Sequence, residues 1–172
     1  MLDLNDLANG LPAISPAFGQ YLAEAGAVCL ESQGHANGQE LSVQGICSEG
    51  YALRWPRVTD QMERCLNDPE VATEHGAVGI AVLLMKRLIG CAVIQRSRKG
   101  TGFDYWLGDE SYMPFESKAR LEVSGIRNGD QKVVTARVRA KLMQTEVSDV
   151  TSLPAYIVVV EFGHPVAEVR QR

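Results

Sequence analysis

Two acidic residues that interrupt apolar, strand-like runs both lie in residues 98–126, RKGTGFDYWLGDESYMPFESKARLEVSGI. Asp104 lies in the run FDYW, and Glu122 lies in the run LEVSG. A carboxylate buried alone is costly, so it is normally neutralised by a partner, a hydrogen-bond network or a cation. Strands alternate between buried and solvated faces, so each carboxylate taken alone could instead face water. Two of them on neighbouring predicted strands, with no lysine on the same face as both, favour a bound cation.

Length and composition predict one ordinary globular domain. The chain has 172 residues, of which 45% are hydrophobic and 22% are charged, and this balance excludes global disorder. The N-terminus begins acidic and lacks the basic and apolar regions of a secretory signal. The most apolar run, residues 77–89, is too short to cross a bilayer and contains charged residues. We therefore expect a cytoplasmic protein that does not bind membranes.

The cysteines and histidines argue against a structural zinc site. The four cysteines stand 18 to 26 residues apart, and none of the three histidines lies at a zinc-ligand spacing from another. Most of the cysteines have apolar neighbours, which is typical of reduced, buried thiols.

Charge is distributed unevenly along the chain. Residues 1–85 contain three Lys/Arg and eleven Asp/Glu, whereas residues 86–141 contain twelve Lys/Arg and six Asp/Glu. The basic segment therefore includes both Asp104 and Glu122. A basic surface around an acidic centre suits a polyanionic ligand held by a metal, although solvated faces of strands and a helix would give the same pattern.

The pattern of residues 1–67 predicts an N-terminal extension made of a helix and a hairpin. Ser15 is a suitable N-cap and Pro16 a suitable first helical residue, which predicts a helix to about Gln33. Alternating residues in 40–47 and 51–55 predict the hairpin, and residues 58–66 a short helix.

Residues 68–172 predict a core with the order helix, strand, strand, strand, helix, strand. Helices are expected from about Asp68 to Leu88 and from Gln131 to about Glu146. Strands are expected at residues 91–96, 103–107, 118–126 and 156–162. In the third strand the period of two puts Arg120, Glu122 and Ser124 on one face. The predicted class is α/β (α+β), with one domain over residues 1–172.

This order of elements resembles the restriction-endonuclease-like core of the PD-(D/E)XK nuclease superfamily. The metal site of that superfamily is an aspartate followed by a Glu-x-Lys pair, often with a glutamate from the first helix. The resemblance implies that Asp104 and Glu122 are catalytic and bind Mg²⁺ or Mn²⁺, and that Glu74 on the first core helix is a third metal ligand. Such an ion holds mostly oxygen ligands and assists phosphodiester hydrolysis.

One position departs from the superfamily pattern, because Ser124 stands where the lysine of Glu-x-Lys is expected. Serine carries no positive charge, so either another cation replaces the lysine or the cleavage step has been lost. Lys141 on the following helix is the first candidate for the replacement, and we predict it to be catalytic. Ser124 and Gln144 are predicted to orient the reacting groups.

The sequence predicts a metal-dependent nuclease acting on DNA or RNA, for instance in bacterial defence or DNA processing. The residues expected to bind nucleic acid are basic and lie near the carboxylates: Arg98, Lys99, Arg120, Arg137 and Arg139. An alternative is an inactive nuclease fold that serves as a nucleic-acid-binding or protein-assembly subunit, with a protein partner or as a homo-oligomer. A third is an unrelated α+β binding domain.

Overall fold

The strands of the protein join into one mixed sheet of eight strands. The computed structural model describes all 172 residues, and its strands are β1 (Leu2–Asp3), β2 (Glu40–Gly45), β3 (Glu49–Arg54), β4 (Ala92–Arg96), β5 (Tyr105–Gly108), β6 (Ser117–Ile126), β7 (Ala155–Glu161) and β8 (Val166–Gln171). Their order across the sheet is β1-β3-β2-β8-β7-β6-β5-β4. The pairs β1–β3, β2–β8 and β6–β7 are parallel, and the others are antiparallel.

Four α-helices connect these strands: α1 (Pro16–Ser32), α2 (Asp60–Cys65), α3 (Pro69–Ile89) and α4 (Gln131–Gln144). Residues Leu4–Asn9 and Thr145–Thr151 form 3-10 helices. Side chains of Ser15, Asp68 and Asp130 cap α1, α3 and α4, as the sequence signals predict. None of the helices combines the length and the apolarity needed to cross a lipid bilayer.

The predicted order of helix, three strands, helix and strand is confirmed for α3, β4, β5, β6, α4 and β7, so the chain is of mixed α/β class. Three details differ from the prediction. Strand β8 was not predicted, and residues 145–151, expected in part as helix and in part as loop, form a 3-10 helix. Strand β5 begins at Tyr105, so Asp104 lies just before it rather than within it.

Strand β8 links the N-terminal hairpin to the rest of the sheet. It pairs with β7 on one side and with β2 on the other, which makes β1, β2 and β3 one end of the common sheet. Residues of both parts of the chain therefore pack into the same main hydrophobic core.

The two faces of the sheet pack against different helices. Leu121 and Val123 of β6 belong to the main core, together with residues of α1 and α3. The opposite face forms a smaller core with α4, in which Val134 and Val138 are buried and Leu142 is partly buried, as predicted. Because side chains alternate along a strand, Arg120, Glu122 and Ser124 point towards the α4 side.

Helix α3 lies directly on β6 because residue 125 has no side chain. A Cβ atom added at Gly125 would lie 2.4 Å from the carbonyl oxygen of Thr73 in α3. A non-bonded contact that short is not tolerated, so Gly125 sets how closely the first half of α3 approaches the end of β6.

We predict that Gly125→Ala destabilises the protein by about 1–3 kcal/mol, because the added methyl group must push α3 away from the sheet. The matched control is Gly50→Ala, another strand glycine, whose added Cβ would meet only the movable carboxyl end of Glu40. That change should alter the free energy of unfolding by less than about 0.5 kcal/mol. Urea denaturation measures the free energy of unfolding of both variants. Equal destabilisation by the two substitutions would contradict the close contact between α3 and β6.

Candidate functional site

The candidate site lies just before the start of β5, where one edge of β6 has no partner strand. Strand β5 pairs with residues 117–121 of β6, whereas residues 122–126 of β6 pair only with β7. Asp104 extends the hydrogen bonding between β5 and β6 by one residue at this point. Its backbone N–H donates to the carbonyl of Leu121 at 2.8 Å, and its Oδ2 accepts from the backbone N–H of Val123 at 2.9 Å. The Asp104 carboxyl group is therefore fixed in position by the backbone of β6.

Glu122 is held from the other side by α4. Its Oε1 accepts from Nζ of Lys141 at 2.6 Å and from Nε2 of Gln144 at 2.9 Å. Lys141 also donates to Oε1 of Gln144 at 3.0 Å, so the three side chains form a closed triangle. The structure brings these three predicted site residues together, and Glu122 is only 1% exposed.

The second oxygen of Glu122, Oε2, is buried and has no hydrogen-bond partner. The neighbouring carboxyl group is that of Asp104, which can hydrogen-bond to Glu122 only when one of the two carries a proton. Two adjacent carboxylates repel each other, and burial strengthens that repulsion. Lys141 offsets part of this repulsion through Oε1 of Glu122, and a shared proton or a second cation between the two carboxyl groups would relieve the rest.

The pKa values of the pair reflect this environment. Burial, and then the charge of Asp104, raise the pKa of Glu122 to about 7, although contacts with Lys141 and Gln144 act in the opposite direction. Burial also raises the pKa of Asp104, against the lowering effects of the Val123 N–H and of Lys141. Both shifts mean that the folded site binds protons more readily than isolated carboxyl groups do.

The carboxyl pair is suited to a single hard cation. Mg²⁺ is usually held by one or two carboxylates and keeps several water ligands. The unpartnered Oε2 of Glu122 and the Asp104 carboxyl group provide such a pair. Glu74 lines the same cleft and is exposed, but no group of three or more His, Cys, Asp or Glu side chains comes close enough to hold a metal.

A cleft of about 740 Å³ leads to the pair, between the first half of α3, the end of β6 and one side of α4. Basic side chains line it beside the carboxylates: Arg96, Arg127, Arg137 and Lys141. Glu70 and Glu74 of α3 line it as well, so the cleft contains four basic and four acidic side chains, and a polyanion would bind at the basic ones.

The predicted nucleic-acid-binding residues separate into distinct groups. Arg137 lines the cleft, whereas Arg98 and Lys99 are exposed on the turn between β4 and β5, outside the cleft lining. Arg139 does not line it either, because it faces a separate groove on the outer surface of α4. Arg139 is therefore not part of this cleft, and its binding of nucleic acid stays a prediction.

Arg120 was also predicted to bind nucleic acid, and this prediction is wrong because its side chain is buried. It is 3% exposed and donates to the carbonyls of Leu153 and Thr145 and to Oγ of Ser148. It also pairs with Asp149 at 3.4 Å. Arg120 therefore fastens the 3-10 helix after α4 to β6, and its guanidinium group is not available to a ligand.

Ser124 does not contact Glu122 but accepts a hydrogen bond from Arg137. The distance from Nη1 of Arg137 to Oγ of Ser124 is 2.7 Å, and the same nitrogen lies 3.2 Å from the carbonyl oxygen of Gly125. The position that lacks the expected lysine is therefore next to a guanidinium group.

An aromatic pair at the edge of the cleft was not predicted as part of the site. Oη of Tyr21 in α1 lies 3.3 Å from Nδ1 of His75 in α3, and their ring centroids are 5.1 Å apart. Chiefly burial raises the pKa of Tyr21. The two residues lie 54 positions apart, so only the packing of α1 on α3 brings them together.

We predict that Glu122→Gln reduces the pH dependence of stability in EDTA. A carboxyl group whose pKa is raised on folding stabilises the folded chain below about pH 4.5, and this contribution is lost as the pH rises to about 7. Relative to wild type, the variant should gain about 3 kcal/mol in free energy of unfolding between pH 4.5 and pH 8, because the pKa of Glu122 rises from 4.5 to about 7 on folding and one pKa unit is worth about 1.4 kcal/mol. Urea denaturation at both pH values measures this gain.

The control for that experiment is Glu116→Gln, which alters an exposed carboxyl group that makes no ion pair. It should leave the pH profile as in wild type. A profile for Glu122→Gln that runs parallel to that of wild type would mean that the carboxyl pair is not under repulsion.

Comparison of the chain with known protein families, with curated proteins and with solved structures found no match. The functional argument therefore rests on the geometry of the residues described above: a fixed carboxyl pair, a lysine and a glutamine on one of its oxygens, and a cleft lined by basic side chains.

Proposed function

We propose that the protein is a metal-dependent nuclease-like enzyme that hydrolyses phosphodiester bonds of DNA or RNA, with Mg²⁺ or Mn²⁺ held by Asp104 and Glu122. The observation that carries the proposal is the buried, unpartnered Oε2 of Glu122 beside a second carboxyl group. A buried polar atom without a partner is rare and asks for an explanation such as a missing ion. A cation at this position would complete the coordination of the oxygen and remove the repulsion between the two groups.

Each side chain of the site has a distinct task in this reaction. A divalent ion, when bound, supplies positive charge at the scissile phosphate and lowers the pKa of an attacking water. Lys141 remains next to that point through its contact with Glu122, so its ammonium group can orient the water or stabilise the negative charge that develops. Gln144 holds Glu122 and Lys141 in their relative positions because it is hydrogen-bonded to both.

The order of elements supports the resemblance to the PD-(D/E)XK superfamily and its restriction-endonuclease-like core. Helix α3, strands β4 to β6, helix α4 and strand β7 follow one another as that core requires. Asp104 directly precedes β5, Glu122 lies on the neighbouring strand β6, and both line one cleft. The contact between Lys141 and Glu122 supports Lys141 as the replacement for the lysine absent at Ser124.

A second candidate function is a nucleic-acid-binding or assembly subunit that does not cut. Two observations favour it: Ser124 occupies the lysine position, and Glu74 does not join the carboxyl pair as a third ligand. The basic side chains of the cleft would serve either function, so the presence of cleavage decides between the two.

The proposed location is the cytoplasm, in a bacterial defence or DNA-processing system. All four cysteines are free, and Cys65 is exposed, which suits a reducing compartment. Exposed apolar side chains at the end of α4 and after it, namely Met143, Val147 and Val150, are compatible with a protein partner.

We predict that Mg²⁺ or Mn²⁺ raises the midpoint of thermal unfolding at pH 8, because an ion that binds only the folded state stabilises it by mass action. Asp104→Asn and Glu122→Gln should each abolish this increase, whereas Glu116→Gln should retain it. The measurement is differential scanning fluorimetry over a series of metal concentrations. An increase that persists in both site variants would mean that the ion binds elsewhere.

We further predict cleavage of single-stranded DNA, plasmid DNA or RNA in the presence of Mn²⁺ or Mg²⁺. Asp104→Asn and Glu122→Gln should lower the rate by about 100-fold or more, because they remove charge that the transition state requires. Glu116→Gln should cleave at the wild-type rate. Cleavage that survives both site substitutions would exclude the proposed mechanism, and its absence together with salt-sensitive binding would favour the second candidate function.

A further inference from the structure

Arg137 has a fixed position in the cleft and unused hydrogen-bond donors. Its Nη1 is held by Oγ of Ser124 and by the carbonyl of Gly125, whereas its Nε and Nη2 have no hydrogen-bond partner in the structure. A guanidinium group carries five N–H donors and remains charged at all relevant pH values. One corner of the group is therefore anchored, and its remaining donors are free for a ligand.

Arg137 and Lys141 contact β6 at a regular spacing. Lys141 bonds to Glu122, and Arg137, four residues earlier in α4, bonds to Ser124, two residues later in β6. Four residues of helix advance about 6 Å, and two residues of strand advance about 6.6 Å, so the two contacts are in register. Helix α4 thus presents two cations along β6, separated by a step similar to that between successive phosphates of an extended nucleic acid strand.

The two cations differ in their surroundings. Lys141 is engaged with Glu122 at the carboxyl pair, where the proposed reaction takes place. Arg137 lies one helical turn away and has no carboxylate partner within ion-pair distance. A guanidinium group without an acidic partner, in a cleft that it lines, is suited to bidentate recognition of a phosphate.

We propose that Arg137, anchored by Ser124, binds the phosphate adjacent to the scissile phosphate, so that the substrate class is a polynucleotide with at least two consecutive phosphates rather than an isolated phosphodiester. This inference rests on the proposed function for the location of the scissile phosphate. Ser124, which stands where the lysine is expected, then has its own role, because it orients the Arg137 side chain that binds the neighbouring phosphate.

Arg139 provides a matched control on the same helix. It is an exposed arginine two residues away, and it faces the separate groove on the outer surface of α4. Any effect of removing positive charge from α4 in general should appear in both Arg137→Ala and Arg139→Ala. An effect of the anchored contact should appear in Arg137→Ala alone.

The binding experiment measures fluorescence anisotropy of labelled single-stranded oligothymidylate in EDTA. Arg137→Ala should raise the Kd by about tenfold or more, as expected for the loss of a charge-assisted contact, and should reduce the salt slope by about one. Arg139→Ala should change the Kd by less than about threefold, and Arg137→Lys and Ser124→Ala should give intermediate losses. Equal losses for Arg137→Ala and Arg139→Ala, or no loss for Arg137→Ala, would overturn the proposal.

The kinetic experiment compares oligothymidylate with bis(p-nitrophenyl) phosphate, which has a single phosphate, in the presence of Mn²⁺. The ratio of the two kcat/KM values, oligothymidylate over diester, should fall about tenfold or more in Arg137→Ala. An unchanged ratio would mean that Arg137 acts at the scissile phosphate, and would overturn the assignment to the neighbouring one.

The two experiments also separate failure of the proposed function from failure of this inference. If the wild-type protein hydrolyses neither substrate, the hydrolytic function fails, and the binding experiment alone decides whether Arg137 recognises phosphate. If Arg137→Ala fails to fold, as judged by thermal unfolding, Ser124→Ala and Arg137→Lys carry the test, because both keep positive charge on α4.

Discussion

Repulsion between two neighbouring carboxyl groups is the constraint around which this structure is arranged. Glu122 is almost completely buried, and burial together with the charge of Asp104 raises its pKa to about 7. Lys141 and Gln144 satisfy one oxygen of Glu122 and leave the other without a partner. The pair does not add to the stability of the fold, because apolar residues would pack at these positions at a lower cost in free energy. Strained or unsatisfied groups of this kind are characteristic of functional sites.

The fold contributes three features that position the pair. Strand β5 begins at Tyr105, opposite Leu121, so β6 has no partner on this edge from Glu122 onward, and the Asp104 side chain takes the place of a backbone acceptor. Gly125 admits α3 close to this opening, and α4 covers it from the other face. Arg120 binds the 3-10 helix that follows α4 and thereby fixes the end of the helix that carries Lys141. The cleft exists because two helices from opposite faces meet at an unpaired strand edge.

The sequence was sufficient to predict the parts of the site that depend on local patterns. The period of two in β6 predicted that Arg120, Glu122 and Ser124 share a face, and the helix predicted from Gln131 to about Glu146 is the one that brings Lys141 and Gln144 to Glu122. It was not sufficient where distant segments meet. Arg120 and Arg137 look alike in sequence, yet one is buried by partners from residues 145–153 and the other lines the cleft. The position at which β5 begins is set by tertiary pairing, and so is the bond between Asp104 and Val123.

The most direct test of the account is a crystal structure determined with Mn²⁺, using anomalous scattering to locate the ion. The account predicts one strong anomalous peak at the carboxyl pair, within about 2.0–2.3 Å of Oε2 of Glu122 and of an oxygen of Asp104, as expected for a hard cation with oxygen ligands. It also predicts that Lys141 remains on Oε1 of Glu122. Well-defined density for both carboxyl groups with no anomalous peak between them, at a Mn²⁺ concentration that occupies other sites, would contradict the central claim.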